Sequence, residues 1–187
     1  HRAYFLFYSG LQLSERDVAL YFAPESSLYR WLRGRVKKII TADLFAPAVH
    51  VRADLMRLPF KTGSVDIIIH HHVLEHVSDD AVALAEFERI LKQDGRMFLS
   101  VPLNEDRGVT WDWGFPDPVK QDHYRDYGRD FPQRLSRFKH TEIDIPVTLS
   151  PEEIRHYGLE RREVIYSCLK PSRKEKESLT HPVRVSP

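Results

Sequence analysis

The sequence is short of several things. It has one cysteine, Cys168, in 187 residues, so no internal disulfide framework can form and a reducing, cytoplasmic setting is expected. No apolar run approaches the ~20 residues that a membrane-spanning helix needs. The formal net charge is only +1, which gives neither nucleic acid nor an anionic membrane a bulk electrostatic reason to bind. Repeats, low-complexity tracts and linker-like stretches are absent too. One domain over residues 1–187 is therefore expected, with 1–14 as a lead-in segment and 171–187 as a polar tail. Because the first residue is His1 rather than Met, the true start is expected upstream. Glycine is missing from a whole stretch, between Gly10 and Gly34. What is present is an ordinary balance, 42% hydrophobic and 29% charged residues, enough for a real core.

The hydrophobic rhythm predicts alternating strands and helices. "VALYF" (18–22) reads as a strand. "SSLYRWLRG" follows as a helix with Leu28, Trp31 and Leu32 on one face, Ser26 or Ser27 as cap and Gly34 as stop. "KIITADL" (38–44) and "AVHVRADL" (48–55) read as strands. "VDIII" (65–69) is apolar on both faces, as a central parallel strand should be. "SDDAVALAEFERILKQDG" (78–95) is the clearest helix, with Ser78 as N-cap and Leu84, Phe87, Ile90 and Leu91 in one stripe. "RMFLSVPL" (96–103) returns as a strand. Residues 103–121 lack periodicity and are expected to be a long loop carrying Trp111, Trp113 and Phe115. "YGRDFPQRLSRF" then reads as helix, with Pro132 in its first turn, and "HTEIDIPV" and "REVIYSCL" as late strands either side of a short helix, "PEEIRHYG". This order predicts an α/β fold with a Rossmann-like, doubly wound, mostly parallel sheet of about seven strands.

In such a sheet, ligands bind beyond the carboxyl ends of the strands. Those ends are Phe22-Ala23-Pro24-Glu25, Asp43, Asp54-Leu55, His70-His71-His72 and Pro102. Asp43 follows Glu25 at close to the ~20-residue offset at which an acidic side chain meets nucleotide ribose hydroxyls. Each Asp alone could simply cap a turn; two at consecutive strand ends favour a ligand.

These residues carry a resemblance. "ADLMRLPFKTGSVDIIIHHHVLEHVSDDAVALAEFERILKQDGRMFLSVP" resembles the centre of a class I S-adenosylmethionine-dependent methyltransferase of the type 11 group. The matching elements are Leu58-Pro59-Phe60, Ser64 to Ile68, His72-Val73-Leu74-Glu75-His76, and Arg89 to Gly95. "DHYRDYGRDFPQRL" is similar to a segment in one branch of that family. The resemblance implies S-adenosylmethionine as cofactor, with Asp43 on its ribose and Asp54 and Leu55 on its adenine. In place of the family's glycine-rich loop stands "FAPE", as in one branch of the family, and Glu25 is expected at the methionine ammonium.

The run "IIIHHHVLEHV" (67–77) raises the question of a metal. The metalloprotease arrangement puts a Glu beside the first His, which fails here, and a structural zinc site would want further Cys or His ligands. No metal is therefore expected. The resemblance places Glu75 and His76 behind the fourth strand, with His70 and His71 on the cofactor or substrate side. Trp111 and Trp113 are expected to fold over the cofactor as a partial lid facing the acceptor, with "DHYRDYG" closing the opposite side. In that stretch His123, Arg125 and Tyr127 are candidate site residues, although an Asp122–Arg125 pair stapling the loop explains them equally well. A base is needed only if the acceptor must lose a proton, and His123, His70 or Tyr127 are the candidates. The implied activity is methyl transfer to a small-molecule or other acceptor that the sequence does not identify. The alternative is a non-catalytic binding module that keeps this fold, with or without the cofactor. The oligomeric state is not legible.

Overall fold

The computed structural model describes residues 2–159, 162–172 and 175. It opens on α1 (Arg2–Ser9), the expected aromatic lead-in, followed by β1 (Val18–Phe22), α2 (Ser26–Leu32), β2 (Lys38–Asp43) and a very short β3 (Val51–Arg52). Then come β4 (Val65–His71), a 3-10 turn (Leu74–His76), α3 (Asp80–Ile90) and β5 (Leu91–Ser100). A hairpin of β6 (Trp111–Asp117) and β7 (His123–Asp126) precedes α4 (Phe131–Arg134), β8 (Lys139–Asp144), α5 (Pro151–Tyr157) and β9 (Val164–Leu169). Most of the tail from residue 171 lies outside the described residues.

Seven strands form one sheet in the order β3-β2-β1-β4-β5-β9-β8. β1 to β5 run parallel to one another, and β9 runs antiparallel to both β5 and β8. The sheet is doubly wound: β1 is followed outward by β2 and β3, and the chain then crosses to β4 on β1's other side. Strand alternation sends Leu20, Ile68 and Leu99 into one apolar cluster with Phe87 of α3, and Ala19, Ile67, Ile69 and Phe98 into another with Tyr4 and Tyr8 of α1. No helix among the described residues is long and apolar enough to cross a membrane.

Several motif residues hold this frame together. Arg89 donates to the carbonyls of Leu58 (3.0 Å) and Phe60 (2.7 Å), while Glu86 accepts from Leu58 N at 2.8 Å, so α3 pins the Leu58-Pro59-Phe60 turn. Asp66 accepts from the Val18 amide at 2.8 Å and from Lys92 Nζ, tying the start of β4 to β1 and β5.

Four expectations are corrected. α3 is capped by Asp79, whose carboxylate accepts from Val82 N, and not by Ser78, which points at Met56. It ends at Ile90 rather than Gly95, because Leu91 already pairs with Val65 and residues 92–95 bulge from the ladder before Arg96 rejoins it opposite Ile67. Residues 103–121 are not wholly irregular, since β6 lies among them. "YGRDFPQRLSRF" yields only the single turn α4, with Pro132 in its first turn as expected.

Candidate active site

A cavity of about 650 Å³ opens where β1, β2, β3 and β4 end. This is the point at which chain order reverses across the sheet, between β1 and β4, and where an open α/β sheet leaves a crevice. Phe22 and Ala23 follow from β1, Asp43, Leu44 and Phe45 from β2, Asp54, Leu55 and Met56 from β3, and His72, Val73, His76, Val77 and Ser78 from β4. The β6–β7 hairpin closes one side with Pro116, Gln121, Asp122 and Tyr124. A smaller hollow of about 380 Å³ lies outside β2, but there Thr41 and His50 satisfy each other at 2.7 Å and no carboxylate faces in.

Asp43 and Asp54 are pre-set by their own backbones. Asp43 Oδ1 accepts from the amides of Phe45 and Ala46, both at 2.8 Å, and Asp54 Oδ1 accepts from Met56 N at 2.9 Å. These are Asx turns, which fix the carboxylate plane. In each case no hydrogen bond among the described residues occupies Oδ2, and both residues line the cavity.

Backbone strain gathers at the same place. Of the five non-glycine residues with positive φ among the described residues, four line the cavity: Ala23 (45°), His72 (52°), Gln121 (57°) and Asp122 (60°). Such conformations persist only where surrounding structure imposes them, and they concentrate at functional sites. Ala23 also answers the missing glycine. The chain still makes the left-handed turn after β1, with the smallest side chain that carries a Cβ.

The structure brings Phe22, Ala23, Asp43, Asp54 and Leu55 together on the cavity. Pro24 lines the outer hollow instead, and Glu25, at the N-cap of α2, is among the lining residues of neither; burial raises its carboxyl above the ordinary range. His70 and His71 do not reach the cavity. The fourth strand runs two residues further than expected, to His71, so both rings are built into the sheet. His70 is fully buried, stacked on Phe87 at 4.9 Å, and neither ring nitrogen has a partner among the described residues. Burial lowers its pKa to about 3, so it stays neutral. His71 packs on the opposite face against Tyr4, and burial drives its pKa well down.

Trp111 and Trp113 do not face the cavity either. They meet edge to face on β6, with Trp113 Nε1 donating to the His123 carbonyl and Lys120 over both rings. The hairpin is a wall, as a lid would be, but Pro116, Gln121, Asp122 and Tyr124 make it. "DHYRDYG" belongs to that same wall rather than to the opposite side. Arg125 is 1% exposed and donates to the carbonyls of Leu74, Val77 and Ser78 and to Asp112. Asp122 is not its partner. Tyr127 is likewise buried and donates to Asp80 Oδ2 at 2.9 Å. Arg125, within β7, and Tyr127, just beyond its end, together clamp the hairpin to the body.

Among the cavity residues to which the sequence assigned no role are His72, His76 and Tyr124. Glu75 and His76, expected behind the fourth strand, lie on the cavity side: His76 is on the wall, and Glu75 is buried beside His123. The signal was the polar run after the strand, misassigned because the strand was ended too early. His72 leads inward through a chain of hydrogen bonds: His72 Nε2 to Tyr4 OH (2.7 Å), Tyr4 OH to Ser100 Oγ (3.0 Å), Ser100 Oγ to His71 Nδ1 (2.8 Å), and His71 Nε2 to Tyr8 OH (2.9 Å). One proton arrangement satisfies every link with both imidazoles neutral: Tyr8 donates to His71, His71 to Ser100, Ser100 to Tyr4 and Tyr4 to His72. His123, half-buried at the hairpin, has its pKa lowered by burial.

Residues 26–99 match the family described as "Methyltransferase domain". That segment is similar to S-adenosylmethionine-dependent methyltransferases. A protein of Mycobacterium tuberculosis named "Probable S-adenosylmethionine-dependent methyltransferase" is 32% identical over 105 residues, 50% of this chain and 37% of that protein. The malonyl-[acyl-carrier protein] O-methyltransferase of Laribacter hongkongensis is 31% identical over 93 residues, 50% of this chain and 30% of the relative. The matches thus span between 30% and 37% of these curated relatives. Among solved structures, the 1,6-didemethyltoxoflavin-N1-methyltransferase of Burkholderia thailandensis, with bound S-adenosylhomocysteine, superposes with a TM-score of 0.65 at 16% identity, covering 92% of this chain and 78% of that one. The YcgJ protein of Bacillus subtilis does so with a TM-score of 0.63 at 16% identity, covering 92% and 100%. The chain shares the fold of these structures, and its own cavity lies where the two aspartates stand.

Proposed function

We propose that this methyltransferase domain binds S-adenosylmethionine in the β1–β4 cavity and transfers its methyl group to an acceptor entering beside the hairpin, in a cytoplasmic setting. The observation that carries the reading is the pair of strand-end carboxylates, each fixed by its own backbone through Oδ1 and each on a residue that lines the cavity. Hydroxyls and an amino group are donors, and carboxylate oxygens are the acceptors they need. Asp43 takes the ribose hydroxyls, Asp54 the adenine amino group, and Leu55 and Met56 the apolar face of the base. Glu25 takes the methionine ammonium from the start of α2. When bound, the cofactor supplies a sulfonium whose methyl group is already activated. The chain's own task is then to align donor and acceptor and to exclude water, and the hairpin wall serves both. Tyr124, Asp122 and His76 present the acceptor side.

Titration calorimetry with S-adenosylhomocysteine tests this. The wild-type chain should bind one equivalent. Asp43→Ala should bind roughly tenfold to a hundredfold more weakly, since a hydrogen bond to a charged acceptor contributes roughly 1.5–3 kcal/mol, while its melting temperature changes little. Undiminished binding by Asp43→Ala would show that the nucleotide lies elsewhere.

A further inference from the structure

We propose that Glu75, His76 and His123 form a binding site for a divalent transition-metal ion at the acceptor side of the cavity. The ligand-capable atoms of the three side chains all lie within 4.8 Å of one another. They come from two separate segments, the 3-10 turn after β4 and the first residue of β7, so the hairpin's docking is what assembles them. The rings of His76 and His123 meet edge-on, with centroids 4.7 Å apart.

A second observation points to a cation. Glu75 is 1% exposed, and its Oε2 has no hydrogen-bond partner among the described residues. A buried carboxylate oxygen is costly without a partner, and here two imidazoles stand where a partner's further ligands would be. The other oxygen, Oε1, is oriented by His72 Nδ1 at 3.5 Å, and His72 is itself held by Tyr4. Metal-binding carboxylates are supported by an outer layer of this kind.

The donor set selects the ion. Two imidazole nitrogens and one carboxylate oxygen suit zinc, iron(II), cobalt(II) or nickel(II), whereas magnesium and calcium favour all-oxygen surroundings. Bonds of about 2.0–2.1 Å place neighbouring ligand atoms about 3.3 Å apart around a tetrahedral ion. The three groups therefore close by small rotations, which the exposed His76 can make. Three protein ligands leave a position open, as in catalytic rather than structural zinc sites. His76 is a cavity residue, with Asp122 and Tyr124 on the same wall, so the acceptor class an open position there would suit bears an oxygen or nitrogen donor. The site is made of protein groups alone and stands whether or not the nucleotide reading holds; only the use of its open position rests on that reading.

Cobalt(II) chloride titrated into chelator-stripped, cofactor-free protein tests the proposal by visible absorption, with equilibrium dialysis against zinc chloride as a count. One ion per chain is expected. His76→Ala, His123→Ala and Glu75→Gln should each weaken binding at least tenfold, and Asp43→Ala should not change it. The His76 variant alters an exposed side chain, so it keeps the test valid if Glu75→Gln fails to fold. Binding well below one ion per chain, or binding unchanged in the His76 and His123 variants, overturns the site. Binding that survives Glu75→Gln but not the histidine variants overturns the three-ligand form.

Discussion

Ala23 shows how a family pattern can be broken in residue type and kept in geometry. Its φ of 45° places an L-residue where the left-handed region costs roughly 1–2 kcal/mol. Glycine would remove that cost but lose about 0.5–1 kcal/mol of chain entropy. Ala23→Gly should therefore stabilise the protein by about 0.5–1 kcal/mol, read from urea unfolding, with no loss of S-adenosylhomocysteine affinity. A destabilised variant would mean that the Cβ is needed for packing against the neighbouring wall. His70 is the opposite case, a residue whose type suggested a site and whose place denies it. Its register was legible in principle: Ile67 to His71 alternate between the two apolar clusters, and a neutral imidazole can occupy such a position. Ending the strand at the last aliphatic residue hid this.

At the scale of elements, the β6–β7 hairpin is held by Arg125, which closes the open carbonyls of the Leu74–Ser78 segment and pairs with Asp112. A second set of contacts gathers on Asp80 at the start of α3, where Tyr127 donates one bond and Arg134 two, both of Arg134's at 2.8 Å. Arg125→Met keeps much of the stem but strands buried carbonyls and Asp112, so a loss of roughly 3 kcal/mol is expected in chemical unfolding. Proteolysis should then cut first within residues 111–126. An unchanged stability would return Arg125 to a substrate role. The sheet and the helices around it were legible because each buries an apolar face with its own period. The hairpin was not, because β6 is largely exposed and held by charged and polar partners that hydrophobic rhythm does not report. The aspartates of the site were legible from their strand-end positions. His72, His76 and Tyr124 were not, since their roles depend on where β4 stops and on a hairpin docked from far along the chain.

For the molecule as a whole, the two interior histidines set a response to acid. Each is buried neutral, with a folded pKa below the unfolded 6.5, and for His70 the folded value is about 3. Between these limits the unfolded chain binds more protons than the folded one, so stability falls as pH falls below 6.5. The slope is about 1.4 kcal/mol per pH unit for each histidine. His70→Phe, which keeps a flat ring against Phe87, should halve that slope and be more stable than wild type by about 2 kcal/mol at pH 5. Thermal melts between pH 4 and pH 8 would reveal this, and parallel curves would show that His70 is not the source. The order of the sheet has another consequence, this time for synthesis. β9 lies between β5 and β8, and β9 is β8's one sheet neighbour among the described strands. While residues 164–169 are still inside the ribosome, β8 has nothing to pair with, and the margin of β5 through Met97, Phe98 and Leu99 is bare. A bare apolar margin is where strands of different molecules join. The nascent chain is thus most adhesive just before β9 emerges, and β9 is the strand that seals the sheet.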